Sequence, residues 1–274
     1  MARTLASSFG VLVLLLSLLL PEGSLAGPIP VGSAALAGTP IKSVYVRPAR
    51  GAQTTAPQQV LLALHGMGGN GELFARDLVD QADQYGWLLV APTIDYGNWK
   101  DPMQVATEDP VLIRALVAYI DQLPQQAGYP IRRQLLLLGH SRGAQLAHRF
   151  AEFRPDKVLA VAALSAGTYT LPQYALPQPA GAAGVNLTFP FGVKDIDKYG
   201  VKAFDPGSFD DVQFWVGVGG DDNNPADVPR QWDALEGTNR VQRAQAFEKA
   251  AKQLGASAVL KVFGGTKHEF TPEM

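Results

Sequence analysis

The chain has 274 residues, of which 47% are hydrophobic and 18% charged, and its formal net charge is −2. That balance excludes disorder, which needs low hydrophobicity and high net charge, and without a basic excess there is no electrostatic reason to expect a nucleic-acid partner. The absence of cysteine rules out disulfides, a thiol nucleophile and thiolate metal sites, so a packed core must supply the stability.

The first 26 residues read as a secretory signal peptide. Arg3 gives a positive start, 11–20 is apolar apart from Ser17, Pro21 ends the run, and Ser24 and Ala26 are small residues placed for cleavage after Ala26. The run is shorter than the ~20 residues that span a bilayer, so no membrane association is expected after cleavage. Residues 27–40, rich in Gly, Ala and Pro, read as a flexible lead-in to one domain over 41–274.

From there strand and helix patterns alternate. Residues 41–46 alternate apolar with polar, as an outer strand does, and 60–64 form a short apolar run ending at His65-Gly66. Residues 72–85 are helical in composition, and 87–90 are a second buried strand closed by Ala91-Pro92. Asp109 reads as a helix cap with Pro110 in the first turn; Ile113, Leu116, Val117 and Ile120 then share one face. The four leucines at 135–138 suit a strand buried on both faces of a parallel sheet. Ala144, Ala147 and Ala151 put small residues on one helical face, which lets a helix lie close to the sheet. Strands follow at 158–164, 212–218 and 258–263, with a helix through Phe247, Ala250, Ala251 and Leu254 capped by Gly255. The pattern predicts an α/β fold with a mostly parallel central sheet and helices on both faces. Only 169–211, rich in proline and aromatics but without a sustained period, breaks the alternation; it reads as a lid-like or substrate-facing insertion.

Gly139-His140-Ser141-Arg142-Gly143 stands between the leucine strand and the alanine-faced helix. Strand–turn–helix is the context in which G-x-S-x-G lifts a serine hydroxyl clear of the sheet as a nucleophile. The loop His65-Gly66-Met67-Gly68-Gly69-Asn70 lets a backbone amide point at a developing oxyanion; with it, the amides of Met67 and Arg142 form the expected oxyanion hole. Of the four histidines, His65 and His140 lie inside these motifs and His148 is mid-helix. His268, after the last strand, is the expected base. The acid belongs after the strand ending at 218, where Asp221 and Asp222 are both candidates. The Asp- and Asn-rich spacing there matches no known calcium loop and is better read as turn chemistry. Trp99 and the insertion aromatics, Tyr169 foremost, are candidates for the substrate pocket, with core packing as the equal alternative.

On these residues the chain resembles the α/β-hydrolase superfamily and, within it, secreted esterases grouped with polyhydroxybutyrate depolymerases and feruloyl esterases. The carriers are His65-Gly66-Met67-Gly68-Gly69, the helix with Glu108-Asp109 and Ile113-Arg114-Ala115-Leu116, the serine motif, Gly219-x-x-Asp222 and His268. The resemblance implies a Ser141–Asp222–His268 triad, ranks Asp222 above Asp221, and implies no metal or organic cofactor. It implies a serine esterase, acting outside the cytoplasm on a small-molecule or polymeric ester: an aryl ester, a polyester or a plant-wall ester. A serine peptidase on this fold and a non-catalytic binding protein are the alternatives. Many of these enzymes carry disulfides, which this chain cannot, and the insertion has no counterpart from which a substrate could be transferred.

Overall fold

The computed structural model describes residues 36–52, 55–128, 130–176 and 184–274. The expected signal peptide and the lead-in as far as residue 35 lie outside the described residues. The last part of the lead-in, 36–40, is a bonded turn in which Thr39 Oγ1 donates to the Leu36 carbonyl at 2.7 Å.

Seven strands form one sheet in the order β1-β3-β2-β4-β5-β6-β7. They are β1 (Ile41–Arg47), β2 (Gln59–Leu64), β3 (Trp87–Ile94), β4 (Leu135–His140), β5 (Val158–Leu164), β6 (Gln213–Gly219) and β7 (Ser257–Phe263). Every pairing is parallel except β1 with β3. Helices α3 (Pro102–Ala127), α4 (Arg142–Phe153) and α7 (Arg240–Gln253) cover one face; α1 (Gly71–Arg76) and α2 (Val79–Tyr85) cover part of the other. The short helices α5 (Pro206–Asp210) and α6 (Asp233–Glu236) lie in the connections around β6. An α/β fold with a mostly parallel sheet and helices on both faces is what the strand–helix alternation predicts.

Local differences from the sequence reading each have a physical cause. The single helix expected over 72–85 is two, parted at Asp77 and Leu78. Strand β3 runs through Pro92, because β2 pairs with it only as far as Val90 and beyond that β1 is its neighbour. Helix α3 begins earlier than expected: Asp101 caps it through the Met103 amide and Pro102 takes the first turn. Asp109 is therefore not a cap. It is buried inside the helix, and Pro110 is an interior proline.

The four leucines are not buried on both faces. Leu135 and Leu137 are in the core under α3 and α4, while Leu136 and Leu138 are half-buried on the opposite side. There a groove of about 750 Å³ is floored by Leu136, Leu138, Ala160, Ala162, Trp215 and Val259. Among the described residues α1 and α2 lie over β1, β3 and β2 on this face, and Asp77, Leu78 and Gln81 wall one side of the groove. The insertion does not stand off from the domain in its described part. Tyr169, Leu171, Phe189, Ile196, Phe204 and Phe209 are all buried, and Phe189 meets Phe153 of α4 with ring centroids 5.0 Å apart.

Candidate active site

Ser141 joins β4 to α4 with φ 56° and ψ −115°. Such a backbone costs of order 1–3 kcal/mol in a non-glycine residue and persists only where its surroundings enforce it. Here the Ser141 amide donates to the Leu164 carbonyl of β5 at 2.8 Å. The flanking glycines allow the bend: a side chain on Gly139 would collide with the Gly143 carbonyl, and one on Gly143 with the Leu64 carbonyl of β2. Helix α4 thus sits directly on the sheet, with Ala144, Ala147 and Ala151 fully buried.

The bend brings three side chains from distant parts of the chain into one line. Ser141 Oγ is 2.9 Å from His268 Nε2, and His268 Nδ1 is 2.6 Å from Asp222 Oδ2. Backbone bonds hold the two loops together: the Gly220 amide donates to Phe263 (2.8 Å) and the Asp221 amide to Thr266 (3.0 Å). Gly219 lies so close to the Thr266 and Lys267 carbonyls that any side chain there would strike them. Of the two aspartates, Asp222 makes the contact and is 4% exposed, whereas Asp221 is exposed. Burial pushes the Asp222 carboxyl up, but the hydrogen bond from His268 and the charge of Arg240 more than reverse this, leaving its pKa below the ordinary value.

The glycine-rich loop lies against the serine. A side chain on Gly66 would come within 3.3 Å of the Ser141 Cβ. His65 anchors the loop, with Nε2 accepting from the Ile94 amide (2.9 Å) and Nδ1 2.6 Å from the Gly66 carbonyl. That pair of contacts requires a neutral ring protonated on Nδ1, and burial lowers its pKa against the Gly66 bond. Asn70 caps α1 through the Leu73 amide at 3.0 Å. Arg142 heads α4, where an amide has no intrahelical carbonyl to bond.

The Arg142 side chain points inward. It is 1% exposed, lies over the Tyr96 ring at 4.7 Å and pairs with Asp109 and with Glu108, the latter at 3.1 Å. Asp109 also receives Arg149 Nη1 at 2.8 Å, and Arg149 donates onward to Thr168 and Thr170. His148 belongs to this buried set. Its Nε2 accepts from the Thr170 amide (3.0 Å), its Nδ1 is 2.9 Å from the Ala144 carbonyl, and burial followed by the Arg149 charge holds its pKa well below 6.5. His140 rests beside His268 at 5.2 Å between ring centroids. Its pKa falls to about 4, chiefly from burial and then from His268, with Asp222 opposing.

The two pocket candidates fare differently. Tyr169 is a correction: it is fully buried, stacked on Phe247 at 4.7 Å, and presents no surface to a substrate. Its aromatic ring fills the space between α4 and α7 instead. Trp99 is half-buried with its ring against Gly167, just beyond β5 at the end of the sheet where Ser141 lies. Three contributors to the site were not read as such in the sequence. Arg240 of α7 donates to Asp222 Oδ1 at 2.8 Å, and nothing local to residue 240 signals that contact. Glu108 and Asp109 did carry a signal, since Asp109 falls four residues before Ile113 on the apolar stripe, where a charge demands a buried partner.

No family model and no curated protein sequence matches the chain. Among solved structures it is similar to poly(aspartic acid) hydrolase-1 from Sphingomonas sp. KT-1, with TM-score 0.61 and 21% identity over 85% of this chain and 90% of that one. It is also similar to a poly(3-hydroxybutyrate) depolymerase from Bordetella parapertussis, with TM-score 0.59 and 24% identity over 82% and 78%. A phospholipase/carboxylesterase from Dyadobacter fermentans superposes with TM-score 0.54 at 17% identity over 86% and 93%. The fold is that of the α/β-hydrolases. In this chain Ser141, Asp222 and His268 follow β4, β6 and β7, and identities this low establish the architecture alone.

Proposed function

We propose that this chain is a secreted serine esterase. The observation that carries the reading is the hydrogen-bonded line from Ser141 through His268 to Asp222. In this reaction His268 Nε2 takes the Ser141 proton as Oγ attacks an ester carbonyl carbon. The carbonyl π electrons move to oxygen, and the amides of Met67 and Arg142 hold the resulting oxyanion. Asp222, accepting from Nδ1, keeps the imidazole in the tautomer that leaves Nε2 free and stabilises the imidazolium. His268 then returns the proton to the departing alkoxide, and the alcohol leaves. Water, activated by the same imidazole, cleaves the acyl-enzyme to the carboxylic acid and restores the serine.

Polymeric esters belong in this proposal because one structural neighbour is named for a polyester, poly(3-hydroxybutyrate); poly(aspartic acid), for which the other is named, is an amide-linked polymer, and the amide arm of the test below addresses it. Trp99, beside Gly167 at the carboxyl end of the sheet, is the aromatic wall we assign to the acyl or alcohol group. Export rests on the N-terminal leader pattern.

Two measurements test the reading. A fluorophosphonate probe should label Ser141 in the native chain, and Ser141→Ala should abolish labelling while lowering kcat on p-nitrophenyl esters by on the order of 10³-fold or more. A p-nitrophenyl acyl series run beside aminoacyl-nitroanilides should show ester turnover far above amide turnover. The reverse order would make the chain a peptidase, and a folded but unlabelled chain would make it a binding protein.

A further inference from the structure

The carboxylate of Asp222 serves two masters. Its Oδ2 accepts from His268, and its Oδ1 accepts from Arg240 Nη1 at 2.8 Å. Arg240 is the first residue of α7, reached only after the whole connection that follows β6, and it is 5% exposed. Its Nη2 reaches the Asp227 carbonyl at 3.4 Å, which ties the guanidinium to the acid loop itself. Both charges are shielded from water, so salt screens their interaction little. Two groups face the His268 ring from other elements besides Ser141: Asp222 from the β6 loop and His140 from β4. On its own loop, Lys267 and Glu269 are exposed. Arg240 is thus a buried permanent cation held one carboxylate away from this group.

A carboxylate in this place does two things: it orients the imidazole and it stabilises the imidazolium. A guanidinium on the far oxygen strengthens the first and weakens the second. It fixes the plane of the carboxylate, and it shares the negative charge that would otherwise favour a protonated ring. An imidazole facing a neutralised Asp–Arg pair stays unprotonated, and so able to accept the serine proton, to lower pH than one facing a bare carboxylate.

Resting on the esterase reading, we propose that Arg240 is a positioning residue that acts through Asp222. It holds the carboxylate against His268 Nδ1 and sets the pH below which His268 ceases to work as the base. A purely structural anchor for α7 would change stability and amplitude but not that pH.

The test uses the full chain and three variants, Arg240→Lys, Arg240→Met and Arg240→Gln, the last in case the methionine variant fails to fold. kcat/KM for p-nitrophenyl butyrate is measured across pH. Arg240→Met or Arg240→Gln should move the acid limb to higher pH by on the order of one unit, with kcat reduced and KM little changed. Arg240→Lys, which keeps the charge, should leave the limb where it is. An unmoved limb in the neutral variants, or a limb that moves equally in Arg240→Lys, overturns the proposal. A second arm is independent of turnover: NMR titration of the His268 ring signal, assigned with His268→Gln, in the wild-type chain and the same variants. The signal should titrate at higher pH in the neutral variants, and no displacement overturns the proposal. If the wild-type chain neither labels with fluorophosphonate nor hydrolyses esters, the esterase reading fails, while the titration still decides what Arg240 does to His268.

Discussion

At the site, the choice between adjacent aspartates turns on one backbone register. Asp221 and Asp222 differ in the sequence only by position, yet the bond from the Asp221 amide to Thr266 turns Asp222 inward and leaves Asp221 exposed. Asp222→Asn would present an amide to His268 Nδ1 and favour the wrong tautomer, with a fall in kcat on the order of 10⁴-fold. Asp221→Asn should stay within a few-fold of wild type, as steady-state kinetics on a p-nitrophenyl ester would show. The serine and the histidine were legible from local chemistry, because G-x-S-x-G needs a strand before it and a helix after it. Whether Tyr169 contacts substrate or packs in the core was open in the sequence, because an aromatic in an irregular segment looks the same whether it faces a pocket or, as here, stacks on Phe247.

Between elements, the junction of α3 and α4 rests on charge rather than on the apolar stripe alone. Asp109 lies between Arg142 and Arg149 with all three side chains at most 1% exposed. Removing the carboxylate would leave two buried guanidiniums short of a partner, a loss of about 3–5 kcal/mol for a broken buried pair. Asp109→Ala should therefore lower the midpoint of denaturant unfolding sharply. Because Arg142 carries an amide assigned to the oxyanion hole, activity should fall under conditions where the variant is still folded. Helix α4 also explains why periodicity was an incomplete guide. Every one of its residues from Arg142 to Phe153 is buried, so the alanine face names the side against the sheet, while Gln145, His148 and Arg149 are buried against hydrogen-bonding partners elsewhere and the Glu152 carboxyl is buried with no hydrogen-bond partner among the described residues. The early start of α3 was hidden because Asp101-Pro102 and Asp109-Pro110 offer the same cap-and-proline signal, and a helix can carry the second pair internally only if something binds the aspartate.

Across the whole molecule, the buried carboxyl groups give folding a pH dependence of its own. Burial lifts Glu236 to about 8, against the Tyr169 amide bond and the charges of Arg243 and Arg149. Burial likewise raises Glu152 well above its usual value, with Arg149 opposing and Glu236 adding to the rise. A carboxyl whose folded pKa exceeds its unfolded one binds the proton more tightly when folded, so its contribution is complete below about 4.5 and is lost as pH climbs through about 8. Glu236→Gln should accordingly be more stable relative to wild type at pH 9 than at pH 5, as paired urea unfolding curves would show. Sequence alone determined the α/β class, the order of strands and helices, the elbow and its serine, and the histidine. Each of these is written in short-range patterns: period, glycine spacing and the turn between one strand and the next helix. Tertiary structure decided which aspartate meets His268, that Arg240 meets it from the other side, that Asp109 joins two arginines, and that Leu136 and Leu138 face a groove rather than a second layer of helix. Those outcomes depend on contacts between residues tens of positions apart, and no local pattern records which distant side chain will lie opposite a buried charge or an apolar strand face.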